Sequence, residues 1–178
     1  METQAKVGDR VTGITLRSID DEPIELDALL TRPTVIVMVR YYGCMPCQAY
    51  LKEMSEHLDD FTDAGADVIG VGGAADYQAR HLIENGVRFP LLLDPDLTLY
   101  KALDITRIHW WMMLSPETWW RYAKAALKAR QGKITGHPLQ APGLAILGAD
   151  GTITLLHRGH TLGHYPPVKD VLAAVKKH

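Results

Sequence analysis

The sequence predicts an α/β fold in which a mixed central sheet is flanked by helices. Three observations carry this. Apolar, β-branched runs at residues 34–39 and 67–72, and a shorter apolar one at 89–93, alternate with segments of helical spacing. That strand-helix-strand-helix-strand rhythm predicts parallel pairing with crossover helices. Near the C-terminus, runs at 142–147 and 152–157 are joined by a turn containing Asp150-Gly151, which predicts a β-hairpin and so an antiparallel part of the same sheet.

Taken in order, Val11, Ile14 and Leu16 are candidate strand positions. Asp20-Asp21-Glu22-Pro23 is a turn signal, and Ile24-Glu25-Leu26 suits a short second strand. A helical turn over 27–30 is stopped by Pro33. Residues 34–39 are apolar without alternation, as a strand buried on both faces requires. From Gln48 to Phe61 the positions Leu51, Met54, Leu58 and Phe61 step by three, four and three, one face of a helix that ends at Ala64-Gly65-Ala66. Residues 75–85 form a second helix with Gly86 at its end, and 97–103 a short third one after the Asp94-Pro95-Asp96 turn. Residues 168–177 close the chain as a helix, with Lys176 and Lys177 at the favourable end of its dipole.

Residues 104–139 break the rhythm and read as a helical, Trp-rich insertion within one domain spanning 1–178. Trp110, Trp111, Trp119 and Trp120 are all here. Ser115 is an N-cap candidate with Pro116 at the first helical position. Trp119, Tyr122, Ala123, Ala126 and Leu127 form the apolar stripe of that helix, and Gly132 and Gly136-His137-Pro138 end the region. Six cationic residues stand against Glu117 alone over 107–133. The segment suits a membrane-surface or acidic-partner contact, solvated basic residues outside an amphipathic helix packed on the domain, a homodimer or surface contact through 110–130, a lid that walls the dithiol with aromatic surface and selects a lipophilic substrate, or the partner-binding face of a redox-dependent adaptor.

The chain of 178 residues carries a net charge of −2, which gives no reason to propose nucleic acid as a partner. No apolar run approaches the roughly 20 residues that span a bilayer. The polar residues 1–10 lack the apolar core of a signal peptide, so a cytoplasmic location is expected.

The chemistry concentrates in Arg40-Tyr41-Tyr42-Gly43-Cys44-Met45-Pro46-Cys47, which holds both cysteines of the chain. A Cys-x-x-Cys at a strand-to-helix junction is a redox dithiol signature. The unpaired amides of a helix N-terminus lower a thiol pKa from its usual value near about 8.5. Cys44 is expected just before the helix and exposed, Cys47 one turn in and covered. That spacing lets the second sulfur resolve a mixed disulfide on the first. Gly43 admits close backbone approach, Pro46 suits the first turn, and Arg40 adds positive charge or makes a surface ion pair. Of Tyr41 and Tyr42, strand alternation lets only one face the site. Two other readings stand beside this one. The cysteines serve as small buried hydrophobes, or they join His157, His160 and His164 around zinc.

The ordered set resembles the thioredoxin-like superfamily over nearly the whole chain outside 104–139. Val7-Gly8-Asp9 through Leu29 resembles the opening of the peroxiredoxin (AhpC/TSA-type) group. Arg40, Gly43, Cys44 and Cys47, as Arg-x-x-Gly-Cys-x-x-Cys, resemble the peroxiredoxin-like branch that includes prostamide/prostaglandin F synthase. The ending Gly163-His164-Tyr165-Pro166-Pro167 is similar to that branch too. The resemblance implies a thioredoxin-like fold and a thiol-dependent oxidoreductase with antioxidant-type chemistry. It implies no bound cofactor or metal. Its reductant would be external, thioredoxin or a low-molecular-weight thiol. Its substrate would be a disulfide, peroxide or endoperoxide, and a dedicated peroxidase is the nearest alternative. Typical peroxiredoxins carry Pro-x-x-x-Thr/Ser-x-x-Cys. Here Arg40 takes the proline position and Cys44 the threonine position, so the family pattern would make Cys47 the nucleophile while thioredoxin logic makes it Cys44. Cys44 is the expected attacker and Cys47 the resolver. Arg40, Tyr42, Gly43, Pro46 and Pro142 are the candidate substrate-positioning residues. Pro142 holds the place of the cis-proline loop of thioredoxin-like folds.

Overall fold

The computed structural model describes residues 4–137 and 139–177. Pro138, expected to help end the Trp-rich segment, lies outside them. Strands β1 (Thr15–Arg17) and β2 (Pro23–Glu25) form the N-terminal hairpin, followed by the single turn α1 (Leu26–Leu29). Then come β3 (Thr34–Met38), α2 (Met45–Glu56), α3 (Leu58–Asp63), β4 (Asp67–Gly72), α4 (Asp76–Glu84), β5 (Leu91–Leu93) and α5 (Thr98–Ala102). A 3-10 turn (Trp110–Leu114) and α6 (Pro116–Ala125) lead to β6 (Gly143–Leu147), β7 (Ile153–Arg158) and α7 (Val168–Lys176).

The seven strands form one mixed sheet in the order β2-β1-β5-β4-β3-β6-β7. As the crossover spacing requires, β3, β4 and β5 pair in parallel, while β6 runs antiparallel to both β3 and β7. β3 is an inner strand, paired on both sides, and every residue of it is buried. Its alternation divides the core. Val35, Val37 and Val39 meet α2, α3 and α7 on one face, through Leu51, Met54, Phe61, Val171 and Val175. Ile36 and Met38 meet Leu16, Leu26, Leu99 and Tyr100 on the other. Each such aliphatic side chain contributes about 1.5–3 kcal/mol by leaving water, so a charge at Val37 would break the fold at its middle.

Two local findings refine the expected elements. The helix expected over 48–61 begins earlier, at Met45, and breaks at His57. Asp59 and Asp60 then occupy the first turn of α3, where a fresh helix N-terminus favours carboxylates. Asp94, expected as part of a turn, caps α5. Its Oδ1 accepts the Thr98 amide at 2.8 Å and its Oδ2 the Leu99 amide at 2.8 Å.

α6 starts as expected. Ser115 Oγ accepts the Thr118 amide, with Pro116 next in the chain. Its buried face is a correction. The expected stripe Trp119, Ala123, Ala126 and Leu127 faces outward, and only Tyr122 of that set is half-buried. Thr118, Ala125 and, beyond the helix, Ala129 form the inner face, because Thr118 donates to the Met112 carbonyl and the alanines permit close approach. Among the described residues no helix is long and apolar enough to cross a membrane.

Candidate active site

The end of β3 and the start of α2 place the two sulfurs. Val39 hydrogen-bonds the Val71 carbonyl at 2.9 Å, so the chain leaves the sheet only at Arg40. Cys44 is the N-cap of α2, with extended backbone, and Cys47 lies in the first turn. Both are free thiols. Pro46 sits in that first turn, where its missing amide costs no helix bond.

Cys44 is fully buried, which corrects the expectation of an exposed sulfur. Its surroundings are covered by residues 129–135, arriving from the far end of the Trp-rich segment. The Gly132 amide donates to the Gly43 carbonyl at 2.8 Å, and Gln131 Oε1 accepts the Met45 amide at 3.2 Å. Gln78 clamps both sides, taking the Gly43 amide at 3.0 Å and donating to the Lys133 carbonyl at 2.7 Å. A Cβ on Gly43 would stand 2.7 Å from the Lys133 carbonyl oxygen, and one on Gly132 would stand 2.9 Å from Gly43 Cα. Both positions require glycine for this close crossing. An open groove of about 1000 Å³ between α4 and residues 126–133 reaches Gly43 and Gln78, but neither sulfur lines it.

Arg40 is buried as well, not a surface residue. Its Nη1 lies 3.7 Å from Cys44 Sγ and 3.5 Å from the Tyr122 hydroxyl, and the guanidinium stands 5.2 Å from the centre of the Tyr41 ring. Tyr41 is thus the tyrosine beside the sulfurs, and its hydroxyl accepts from Gln131 Nε2 at 2.9 Å. Tyr42 turns the other way. Its hydroxyl donates to the Leu92 carbonyl at 2.5 Å, and its ring fills the space over Gly72.

The two sulfurs feel opposite fields. Burial alone pushes the Cys44 thiol up. Hydrogen bonding from Cys47, through its thiol and its amide, together with the Arg40 charge outweighs that and brings Cys44 down to about 7. Cys47 is held well above the usual thiol range, first by burial and then by its bond to Cys44 and the charge there. The Tyr165 hydroxyl, 3.4 Å from Cys47 Sγ, acts the other way on Cys47. Tyr165 stacks on Tyr50 with ring centroids 4.3 Å apart.

Pro142 lies at the head of β6, where its carbonyl accepts the Gly159 amide at 2.9 Å. No described peptide bond is cis, so the bond before Pro142 is trans. His157 and His164 pack edge to face at 4.7 Å, with His160 beside them, but among the described residues no three His, Cys, Asp or Glu side chains are grouped to hold a metal ion. Sequence reasoning missed Gln78 and Gln131, which carry no motif, and the parts played by Tyr122 and Tyr165. Tyr165 was in view only as part of the Gly163-to-Pro167 ending.

Comparison with known proteins bears on the same region. The AhpC/TSA family matches residues 7–155. A prostamide/prostaglandin F synthase of Salmo salar is 28% identical over 167 residues, covering 90% of this chain and 83% of its own. The human peroxiredoxin-like 2C is 26% identical over 155 residues, covering 81% of this chain and 69% of its own. A peroxiredoxin-like protein from Aquifex aeolicus superposes with a TM-score of 0.71 at 15% identity, covering 98% of this chain and 88% of that one. Peroxiredoxin Q of Xanthomonas campestris superposes at 0.67 with 20% identity, covering 95% and 98%. With a family match across most of its length, this chain belongs to the AhpC/TSA family and is a thiol-dependent oxidoreductase of its peroxiredoxin-like branch.

Proposed function

We propose that the protein reduces a disulfide or peroxide-type bond with Cys44 as the attacking thiolate and Cys47 as the resolving sulfur. The observation that carries this reading is the unequal setting of the two sulfurs. Arg40 Nη1 faces Cys44 Sγ at 3.7 Å at the head of α2, while Cys47 is held protonated deeper in the first turn.

With a hydroperoxide, Cys44 forms an S–O bond as the O–O bond breaks, and the leaving alkoxide takes a proton to become the alcohol. Cys47 then attacks the Cys44 sulfur. The S–S bond forms, and hydroxide leaves as water with the Cys47 proton. With a disulfide, Cys44 forms a mixed disulfide and expels one thiolate, and Cys47 expels the other. In both cases the dithiol gives two electrons and ends as an internal disulfide. An endoperoxide is an O–O bond of the same kind and fits the same steps, both oxygens staying on the product.

An external thiol, thioredoxin or a low-molecular-weight thiol, returns the dithiol, which suits a reducing cytoplasm. No bound cofactor enters the cycle. In this reading 1–178 is one domain, and 104–139 is an insertion whose far end covers Cys44. Gly43 and Pro46 shape the approach to the sulfurs, Pro142 at the head of β6 remains a substrate-positioning candidate, and Tyr41 takes the place expected of Tyr42.

The test is a coupled turnover assay with hydroperoxide and with protein-disulfide substrates, run on Cys44→Ser and Cys47→Ser. Cys44→Ser should be inactive. Cys47→Ser should complete one attack and stall as a sulfenic acid or mixed disulfide. Retained turnover in Cys44→Ser with a dead Cys47→Ser would reverse the assignment.

A further inference from the structure

An amphipathic helix ordinarily turns its apolar stripe inward. α6 does the opposite. Trp119 and Trp120 are each 65% exposed, Leu127 just beyond the helix is 88% exposed, and Trp110, Trp111 and Leu114 of the preceding 3-10 turn are 65%, 54% and 66% exposed. The helix is not displaced from the body, since its other face is packed: Thr118 and Ala125 are buried, and Tyr122 reaches Arg40. So the outward stripe is a surface in its own right, larger than isolated exposed side chains account for.

The charges within the segment are nearly all of one sign. Over residues 107–133 six cations face the single carboxylate Glu117, a balance of +5. Glu117 is already paired with Arg121. Lys124, Lys128, Arg130 and Lys133 are exposed, and Lys124 Nζ lies 5.8 Å from the centre of the Trp120 ring. Tryptophans interleaved with lysine and arginine are the composition of a segment that lies at a water–lipid boundary, the indoles at headgroup depth and the cations against lipid phosphates. A second copy of the chain is a poor occupant. An isologous contact would set this cationic patch against itself. At 10 residues α6 is about 15 Å long and can only lie in the plane of a bilayer.

We propose that α6 and the 3-10 turn before it dock on the surface of an anionic phospholipid bilayer. This holds whichever bond the dithiol reduces. The test is flotation of the full chain with vesicles of phosphatidylcholine, with and without phosphatidylglycerol, alongside tryptophan fluorescence and quenching by lipids brominated on the acyl chain. Binding should require phosphatidylglycerol, weaken as salt rises, shift the emission to the blue and be quenched. Trp119→Ser/Trp120→Ser should bind at least tenfold more weakly while its dithiol alkylates at the rate of the parent, which shows the fold intact. Lys124→Glu/Lys128→Glu should lose the preference for anionic lipid. Absence of binding to anionic vesicles, or binding unchanged in the double tryptophan variant, overturns the proposal. So does sedimentation showing a dimer that buries the tryptophans.

Discussion

The Tyr165 hydroxyl lies 3.4 Å from Cys47 Sγ and 3.0 Å from the Met38 carbonyl oxygen. One hydroxyl proton therefore serves two acceptors. While Cys47 is a thiol, the proton is best given to Met38. When Cys47 loses its proton, the hydroxyl can turn to the sulfur and hold the thiolate. Tyr165→Phe keeps the stack on Tyr50 and removes only this donor. It should cost about 0.5–1.5 kcal/mol in denaturant unfolding, because one hydrogen bond to the Met38 carbonyl is lost. It should also slow closure of the internal disulfide several-fold in single turnover. An unchanged closure rate would show that Tyr165 serves the fold alone.

The reactivity of Cys44 should follow pH with a midpoint near about 7. The thiolate is the reactive form, so alkylation of Cys44 should fall as pH drops below that point and level off above it. Arg40→Gln takes away the adjacent positive charge and should move the midpoint upward. A shift of about one unit lowers the rate at pH 7 by about fivefold to tenfold. A variant whose profile coincides with the parent's would show that the guanidinium does not tune the sulfur.

Gly132→Ala places a methyl group 2.9 Å from Gly43 Cα, and neither backbone has a flexible side chain to yield. Residues 129–135 should lift from Gly43. Cys44 should then alkylate several-fold faster at fixed pH, with a stability loss of about 1–3 kcal/mol from the overpacked crossing. Equal alkylation rates would mean that the segment is not the barrier to Cys44.

Asp94 caps α5 with both carboxylate oxygens. Asp94→Ala leaves the Thr98 and Leu99 amides without these acceptors and should lower stability by about 1–2 kcal/mol, read from the shift of the urea midpoint. Because the cap lies across the sheet from Cys44, the alkylation rate should not change.

What could be read from the sequence was what local pattern encodes. β3 announces itself by unbroken β-branched residues, the β6–β7 hairpin by Asp150-Gly151, and the dithiol by its spacing at a strand-to-helix junction. The inner face of α6 was not legible in this way. Side-chain hydropathy puts Trp119 and Leu127 inside, whereas the packed face is chosen by partners remote in sequence: Arg40 for Tyr122, and α2 for the small residues. The burial of Cys44 was hidden for the same reason. Its cover crosses at Gly132, and a glycine in a loop does not reveal which backbone it will meet.

The enclosure of Cys44 and Cys47 has a kinetic consequence. A sulfur with no surface exchanges electrons with solutes only during openings of its cover, so its oxidation rate scales with the fraction of time that cover is open as well as with the thiolate fraction. The low thiol pKa, which would leave an open thiolate vulnerable to any passing oxidant, is thereby insulated from the bulk. The redox state of this protein reports on events that open residues 129–135, and between such events it keeps the state it was left in.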